Sequence, residues 1–140
     1  MTPGIPDFDV IADDLAFLDD WDERYAYIID LGRRLPPLPA EAHDDAHKVR
    51  GCASQVWLAV DETEDGRLEV RGDSDAAIVK GLVALMVALF SGRTRSEVAR
   101  LDPEARLASI DLQDHITPQR SNGVASMIRR LKAEGQAPAA

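Results

Sequence analysis

One uncharged stretch in the middle of the chain limits its fold more than any other feature. The ten residues from Gly81 to Phe90 carry no charge and lie in a predicted helix, which is capped by Asp73 or Ser74 and closes on Gly92. A helix that is apolar on nearly every face is buried at the centre of a protein. The stretch is much shorter than the ~20 residues that cross a bilayer, so we expect a core helix rather than a membrane span.

The elements before this helix separate into helices and one hairpin. Apolar residues at helical spacing predict an amphipathic helix over 8–18, and a second helix begins at Trp21 with Asp20 as its N-cap. Two runs rich in β-branched residues, at 54–60 and 68–72, flank a turn and predict an antiparallel hairpin.

Capping signals predict three more helices in the last third of the chain. Thr94 with Glu97 forms a capping box, and Asp102 before Pro103 is an N-cap followed by proline in the first turn. A final helix follows residues 117–118. We therefore expect several helices after the hairpin and none between its strands.

This order favours an α+β fold, in which a small antiparallel sheet of two to three strands packs against several helices. The polar segment 36–50 is predicted to be a loop, with a short strand near 48–50. We expect frayed residues at 1–6, one domain over 1–134 and a disordered tail over 135–140.

Charge and cysteine content exclude several classes of protein. The chain has 25 acidic and 16 basic residues, a net charge of −9, which weighs against nucleic acid or an anionic membrane as a partner. It leaves room for a protein partner with a basic docking surface. One cysteine excludes an internal disulfide, and no signal peptide precedes the first basic residue, Arg24. We therefore expect a cytoplasmic protein.

Cys52 is the residue that could carry chemistry. Free cysteine is often buried, so Cys52 could simply fill an apolar gap. Its neighbours favour a reactive thiol instead, because Gly51 precedes it and Lys48 and Arg50 are cations of the kind that lower a thiol pKa. Without a second cysteine it cannot form a CxxC redox pair, and by itself it cannot hold a structural zinc or an iron–sulfur cluster. Covalent catalysis with a histidine base and a sulfur carrier remain open.

Other polar residues are weaker candidates. The bases available to Cys52 are His43, His47 and His115. His43 and His47 are four residues apart, but their acidic surroundings are typical of a solvated loop, so we expect no metal site. Asp75 joins a strand to the apolar helix and Arg120 opens the last helix, and neither lies in a nucleotide-binding motif.

Four segments resemble the SufE family of sulfur-acceptor proteins, which includes the CsdE branch. They are WDERYAYIIDLGRRLP at 21–36, GCASQVWL at 51–58, GDSDAAIVKGLVAL at 72–85 and HITPQRSNGVASMI at 115–128. They occur in the family's order, and the resemblance extends from Trp21 to Leu131.

The resemblance implies an α+β fold related to that of the IscU-type scaffolds, and a function as partner of a PLP-dependent cysteine desulfurase of the SufS or CsdA type. Cys52 would accept persulfide sulfur from the desulfurase, stimulate its turnover and relay the sulfur to an iron–sulfur scaffold complex that contains SufB. PLP would belong to the desulfurase, so this chain would need no cofactor. The oligomeric state stays open, a homodimer included.

The resemblance also implies roles for the residues around Cys52. Gly51, Ser54 and Gln55 would shape the cysteine loop, with Gly51 in a backbone conformation that other residues resist. Asp75 and Arg120 would bind the partner or position the loop. For Arg120 an internal ion pair is the alternative.

Two other functions remain under consideration. A thiol hydrolase or transferase would pair Cys52 with His115 as its base, whereas a non-catalytic adaptor would use Cys52 only for packing. For the sulfur acceptor, we expect the loop to hold the thiol against apolar surface in the free protein and to expose it when the desulfurase docks.

Overall fold

A computed structural model describes residues 4–136 of the chain. Within this range the chain forms six α-helices, two short 3-10 helices and a two-stranded antiparallel sheet, which confirms the predicted α+β class. The helices are α1 (Phe8–Ala16), α2 (Trp21–Arg33), α3 (Ala77–Phe90), α4 (Arg95–Arg100), α5 (Pro103–Ala108) and α6 (Pro118–Gln136). The strands are β1 (Val56–Glu62) and β2 (Leu68–Ser74), and the 3-10 helices are Ala40–Ala42 and Leu112–His115.

The predicted hairpin is present, and its strands pair along their whole length. Ala59 lies opposite Arg71 at the middle of the register. The short strand predicted near residues 48–50 is reduced to a single antiparallel bridge between Lys48 and Trp57. A sheet of two strands is marginal by itself, so its stability depends on the helix that covers it.

Helix α3 lies at the centre of the fold, as its sequence predicts. Ten of its 14 residues are buried, and it packs against α1, α2, α6 and the sheet. Full burial of one large apolar side chain stabilises a fold by roughly 1.5–3 kcal/mol, so this helix dominates the core. No helix within residues 4–136 is both long and apolar enough to cross a membrane.

Helices α2 and α3 approach each other closely because glycines lie on both sides of their contact. A methyl group on Gly32 would lie 2.7 Å from the Gly81 amide nitrogen, and one on Gly81 would collide with the carbonyl of Ile28. The two backbones therefore touch at this point, with no space for a side chain between them.

The predicted N-caps of three helices are confirmed. Asp20, Thr94 and Asp102 each accept a hydrogen bond from the backbone N–H three residues further on. The C-terminal end of α4 is bonded to α6. The Lys132 ammonium on α6 donates to the Val98 carbonyl at 2.8 Å and to the Leu101 carbonyl. These bonds satisfy groups that a helix end leaves without partners.

The predicted cap of α3 is wrong. Strand β2 continues through Asp73 and Ser74, and α3 begins at Ala77 with Ala76 in the N-cap position and no side-chain cap. The Ser74 hydroxyl is engaged elsewhere, because it donates to the Gln55 carbonyl at 2.7 Å. Of the two residues predicted as a cap, Ser74 therefore holds the cysteine loop, whereas the Asp73 carboxylate bonds to His43.

Residues near both ends of the described chain pack against the fold. Ile5 belongs to the hydrophobic core, although it lies in a segment predicted to be frayed. Helix α6 includes the first two residues of the predicted tail, and Gly135 is buried against Val98. The rest of the tail, 137–140, lies outside the described residues, as do residues 1–3.

Replacing Gly81 by Ala should destabilise the protein by about 2 kcal/mol or more, because the added methyl group meets the α2 backbone, which cannot move aside as a side chain could. Helix propensity alone would favour Ala by roughly 1 kcal/mol. Urea unfolding followed by circular dichroism measures the change.

The matched control is Ala133→Gly on the exposed side of α6, which reports the propensity effect without the contact and should cost about 1 kcal/mol. If Gly81→Ala unfolds at the wild-type urea concentration or above it, the close backbone contact is not a constraint on the fold.

Candidate functional site

Cys52 lies in a loop whose two ends are held together. The Val49 N–H donates to the Val56 carbonyl at 2.8 Å, and the Leu58 N–H donates to the His47 carbonyl at 2.9 Å. The residues between these bonds leave the sheet and return to it. Cys52 therefore sits on a projecting loop with a fixed base.

Gly51 makes the turn that brings the loop against α6. Its φ is +91°, in the left-handed region that side chains other than glycine's disfavour. A methyl group there would lie 2.5 Å from the hydroxyl oxygen of Ser126. The backbone conformation therefore favours glycine at this position, and any side chain there would also displace the Ser126 hydroxyl.

The Cys52 thiol rests on the backbone of α6. Its S–H points to the Gly123 carbonyl oxygen at 3.6 Å, and a methyl group on Gly123 would lie 3.4 Å from the sulfur. Gly123 is buried in the helix, and a methyl group there would make an ordinary van der Waals contact with the sulfur.

A cavity of about 180 Å³ opens beside the sulfur. Its apolar lining comes from α3 and α6, through Val79, Leu82 and Met127, and its polar lining includes Ser54, Thr117, Gln119 and Arg120. Burial raises the pKa of the Cys52 thiol above its ordinary value, so the lowered pKa expected from the neighbouring Lys48 and Arg50 is wrong for the free protein. The free protein therefore holds a partly shielded thiol that is less ionised than one in water.

Asp75 holds the end of the cysteine loop that leads into β1. Its carboxylate accepts a hydrogen bond from the Gln55 N–H at 3.0 Å, and its own N–H donates to the Gln55 carbonyl at 3.3 Å. The Ser74 hydroxyl bonds to the same carbonyl. Of the two roles predicted for Asp75, this geometry favours positioning of the loop.

Arg120 is exposed on the first turns of α6 and lines the cavity next to Cys52. Across residues 4–136 no carboxylate lies within 4 Å of its guanidinium, so nothing there supports the internal ion pair. Its charge is available to a group that enters the cavity or covers it.

The three histidines are engaged away from the cavity. The ring of His115 stacks on Trp21 at 3.9 Å between centroids, and its Nδ1 bonds to a backbone carbonyl. His47 pairs with a neighbouring carboxylate, and a hydrogen bond to Asp73 raises the pKa of His43. None of them lines the cavity, so the structure offers no imidazole base to Cys52.

The structure gives no support for a metal site either. Within the described residues, no group of three or more histidine, cysteine or acidic side chains could hold a metal ion. The two histidines spaced four residues apart, His43 and His47, bond to different carboxylates, those of Asp73 and Asp44.

Sequence reasoning missed the residues of α6 that the loop touches. Gly123 and Ser126 are three residues apart, so they share one face of the helix, and both are small and buried. This spacing marks a face that admits a close neighbour. Only the folded chain shows that the neighbour is Cys52.

Comparisons with known proteins agree with this picture. The family model of SufE, described as an Fe-S metabolism associated domain, matches residues 9–135. An uncharacterised SufE-like protein of Rhizobium meliloti is 50% identical over 136 residues, which cover 94% of this chain and 97% of the relative. Another from Rhizobium etli is 46% identical over 135 residues, covering 94% and 91%.

A solved structure shares the fold. The solution structure of a hypothetical protein from Thermus thermophilus superposes with a TM-score of 0.74, covers 97% of this chain and 96% of its own, and is 19% identical. The resemblance seen in the four sequence segments is thus confirmed over nearly the whole chain by the family model.

The raised pKa of Cys52 predicts slow alkylation of the native protein. Iodoacetamide reacts with the thiolate, and burial disfavours that form. The pH midpoint of the reaction rate should therefore lie higher for native protein than for the same chain in urea, and the native rate at pH 8 should be lower. Equal midpoints and rates would show that the thiol is not shielded.

Substitution of Gly51 should cost more than substitution of a glycine that has only a positive φ. Gly66 provides the control, since its φ is +79° and a methyl group there meets nothing within 4 Å. We expect Gly66→Ala to lose about 1 kcal/mol from strain alone, and Gly51→Ala to lose about 2–3 kcal/mol because it also meets Ser126.

A double variant separates the two costs. Urea unfolding of Gly51→Ala with Ser126→Ala, compared with Ser126→Ala alone, should leave only a loss like that of Gly66→Ala. If Gly51→Ala costs no more than the control, the loop is not pressed against α6.

Proposed function

This chain belongs to the SufE family, and from that premise we propose that it is a sulfur acceptor, which takes persulfide sulfur from a PLP-dependent cysteine desulfurase onto Cys52 and relays it to an iron–sulfur cluster scaffold. The family places it in iron–sulfur metabolism. The proposal extends that assignment to a residue, a donor and an acceptor. PLP stays with the desulfurase, and this chain contributes only its thiol.

The proposed step is an exchange between two sulfur centres. The Cys52 thiolate attacks the terminal sulfur of the donor persulfide, a new S–S bond forms on Cys52, and the donor's own S–S bond breaks. The donor cysteine leaves as a thiolate, which takes the place of the thiolate consumed. Atoms and electrons balance without an oxidant, and removal of the sulfur frees the donor for another turnover.

One observation carries the proposal: a lone thiol stands beside a cavity that is lined, within the described part of the chain, by apolar and polar side chains and by no histidine. The cavity has room for more than the ~30 Å³ that a water molecule occupies in the liquid, so it could receive the additional sulfur of a persulfide. Because the chain has no second cysteine, its own persulfide cannot collapse into an internal disulfide.

The same features disfavour the alternatives. A hydrolase that uses Cys52 needs a general base in reach, whereas His115 is stacked on Trp21. An adaptor with a packing cysteine would bury the thiol in a filled core. Here the sulfur is only partly buried and borders a cavity.

The experiment that tests the proposal is intact-protein mass spectrometry. The chain is incubated with the cysteine desulfurase of the same organism, PLP and free cysteine. We expect a mass increase of one sulfur atom that dithiothreitol reverses. Wild-type protein alkylated beforehand at Cys52 serves as the matched control, since it keeps every other residue, and Cys52→Ser is the second control.

The outcomes separate the functions. Sulfur found on the wild type and absent from both controls supports the carrier. Sulfur transfer that persists in Cys52→Ser, or no transfer despite a turning-over desulfurase, overturns it.

Arg120→Ala should slow sulfur transfer by about tenfold while leaving thermal stability nearly unchanged, because its exposed guanidinium has no acidic partner to lose and a charged contact contributes roughly 1.5–3 kcal/mol. Transfer rates and melting curves are measured on the same preparations. Arg100→Ala is the matched control, since Arg100 is also exposed on a helix. A large fall in stability would assign Arg120 an internal role instead.

A further inference from the structure

The segments around Cys52 carry a charge opposite to that of the whole chain. Residues 46–60 and 115–133 contain no aspartate or glutamate, although the chain has 25 of these acids and a net charge of −9. The two segments hold six of its 16 basic residues, which are Lys48, Arg50, Arg120, Arg129, Arg130 and Lys132. These two segments therefore carry a local positive charge, opposite in sign to the net charge of the chain.

The fold brings five of these cations to the cysteine loop. Arg129 donates to the hydroxyl of Ser126 at 3.1 Å, and that hydroxyl lies against Gly51. Arg130 donates to the Ala46 carbonyl at 2.7 Å at the base of the loop. Lys48 and Arg50 belong to the loop segment itself, and Arg120 lines the cavity on the other side of Cys52.

These five side chains, the cationic face, are not neutralised within the protein. Across residues 4–136 none of them has a carboxylate within 4 Å. The acids that flank the two segments are Asp45, Asp61, Asp114 and Glu134, and none of them pairs with these five cations across residues 4–136. Of the acids nearby, Asp44 pairs with His47 and Asp75 bonds to the backbone of Gln55. Of the ten lysines and arginines outside the two segments, six do have an acidic partner within 4 Å, namely Arg34, Arg67, Arg71, Lys80, Arg95 and Arg106.

We propose that the cationic face docks onto an acidic rim around the donor cysteine of the desulfurase. This inference rests on the proposed function and adds the chemistry of the partner's surface. Opposite charges accelerate association and fix its orientation, and like charges suppress other encounters. An acidic rim would repel most of this protein and attract only the side that carries Cys52, so the charge pattern brings the two sulfur atoms together.

The first test measures sulfur transfer as a function of acceptor concentration. The double variant Arg50→Gln/Arg129→Gln removes two charges and leaves Arg120 and the cavity intact. The KM of the desulfurase for this variant as sulfur acceptor should rise roughly fivefold at low salt, as expected for two exposed charge pairs. That KM should also depend less on salt than the KM for the wild-type acceptor. The matched control is Arg33→Gln/Arg100→Gln, which removes two exposed charges elsewhere and should keep the wild-type KM within about twofold.

The second test needs no partner. The anion iodoacetate and the neutral iodoacetamide alkylate the same thiol, so their rate ratio reports the local potential. We expect the ratio at Cys52 to exceed that of a cysteine peptide, to fall as salt is added, and to fall in Arg50→Gln/Arg129→Gln but not in the control variant.

The two tests separate failure of this inference from failure of the proposed function. A KM unaffected by salt and by the double variant, with sulfur still loaded onto Cys52, overturns acidic docking and leaves the sulfur acceptor standing. A rate ratio equal to that of the peptide overturns the positive potential directly. If the desulfurase loads no sulfur onto Cys52 at any acceptor concentration, the proposed function fails and the docking inference fails with it.

Discussion

The close contact between α2 and α3 is the constraint on which the rest of the structure depends. Gly32 and Gly81 let the two backbones meet, and this contact fixes the position of a helix that is buried on almost every face. The sheet has only two strands, so it is stable only when α3 covers it. Helix α3 also contributes Val79 and Leu82 to the cavity beside Cys52. A shift of α3 would therefore change the shape of that cavity.

The site is a product of backbone packing more than of catalytic side chains. The cysteine loop turns at Gly51 and rests on α6 at Gly123, so that neighbouring backbone, and not an acid or a base, defines where the sulfur lies. Asp75 fixes the far end of the loop through the amide of Gln55. This arrangement suits a thiol that must be shielded until a partner arrives, because shielding needs close contact on one side and a small movement can undo it.

The charge distribution around Cys52 can orient a docking partner. A net charge of −9 describes the average surface, and by itself it favours a basic partner. The distribution reverses that expectation around Cys52, because Arg50 precedes Gly51 in the loop and Arg129 bonds to Ser126, whose hydroxyl lies against Gly51. Because exposed charges are screened over about 10 Å at ordinary salt, the local sign and not the net charge governs what can dock there.

The sequence by itself determined most of the helices and strands and made Cys52 the candidate site residue. Periodicity and capping signals depend on neighbours within one turn, and they correctly predicted the buried helix, the hairpin and the caps at Asp20, Thr94 and Asp102. The Asp73–Ser74 cap failed because Ser74 bonds to Gln55, which is 19 residues away. Local sequence signals also could not show which face of α6 contacts Cys52, or that cations from the loop and from α6 lie around it. Contacts between distant segments arise only when the chain folds, so the tertiary structure alone decided the shielding of the thiol and the sign of the charge around it.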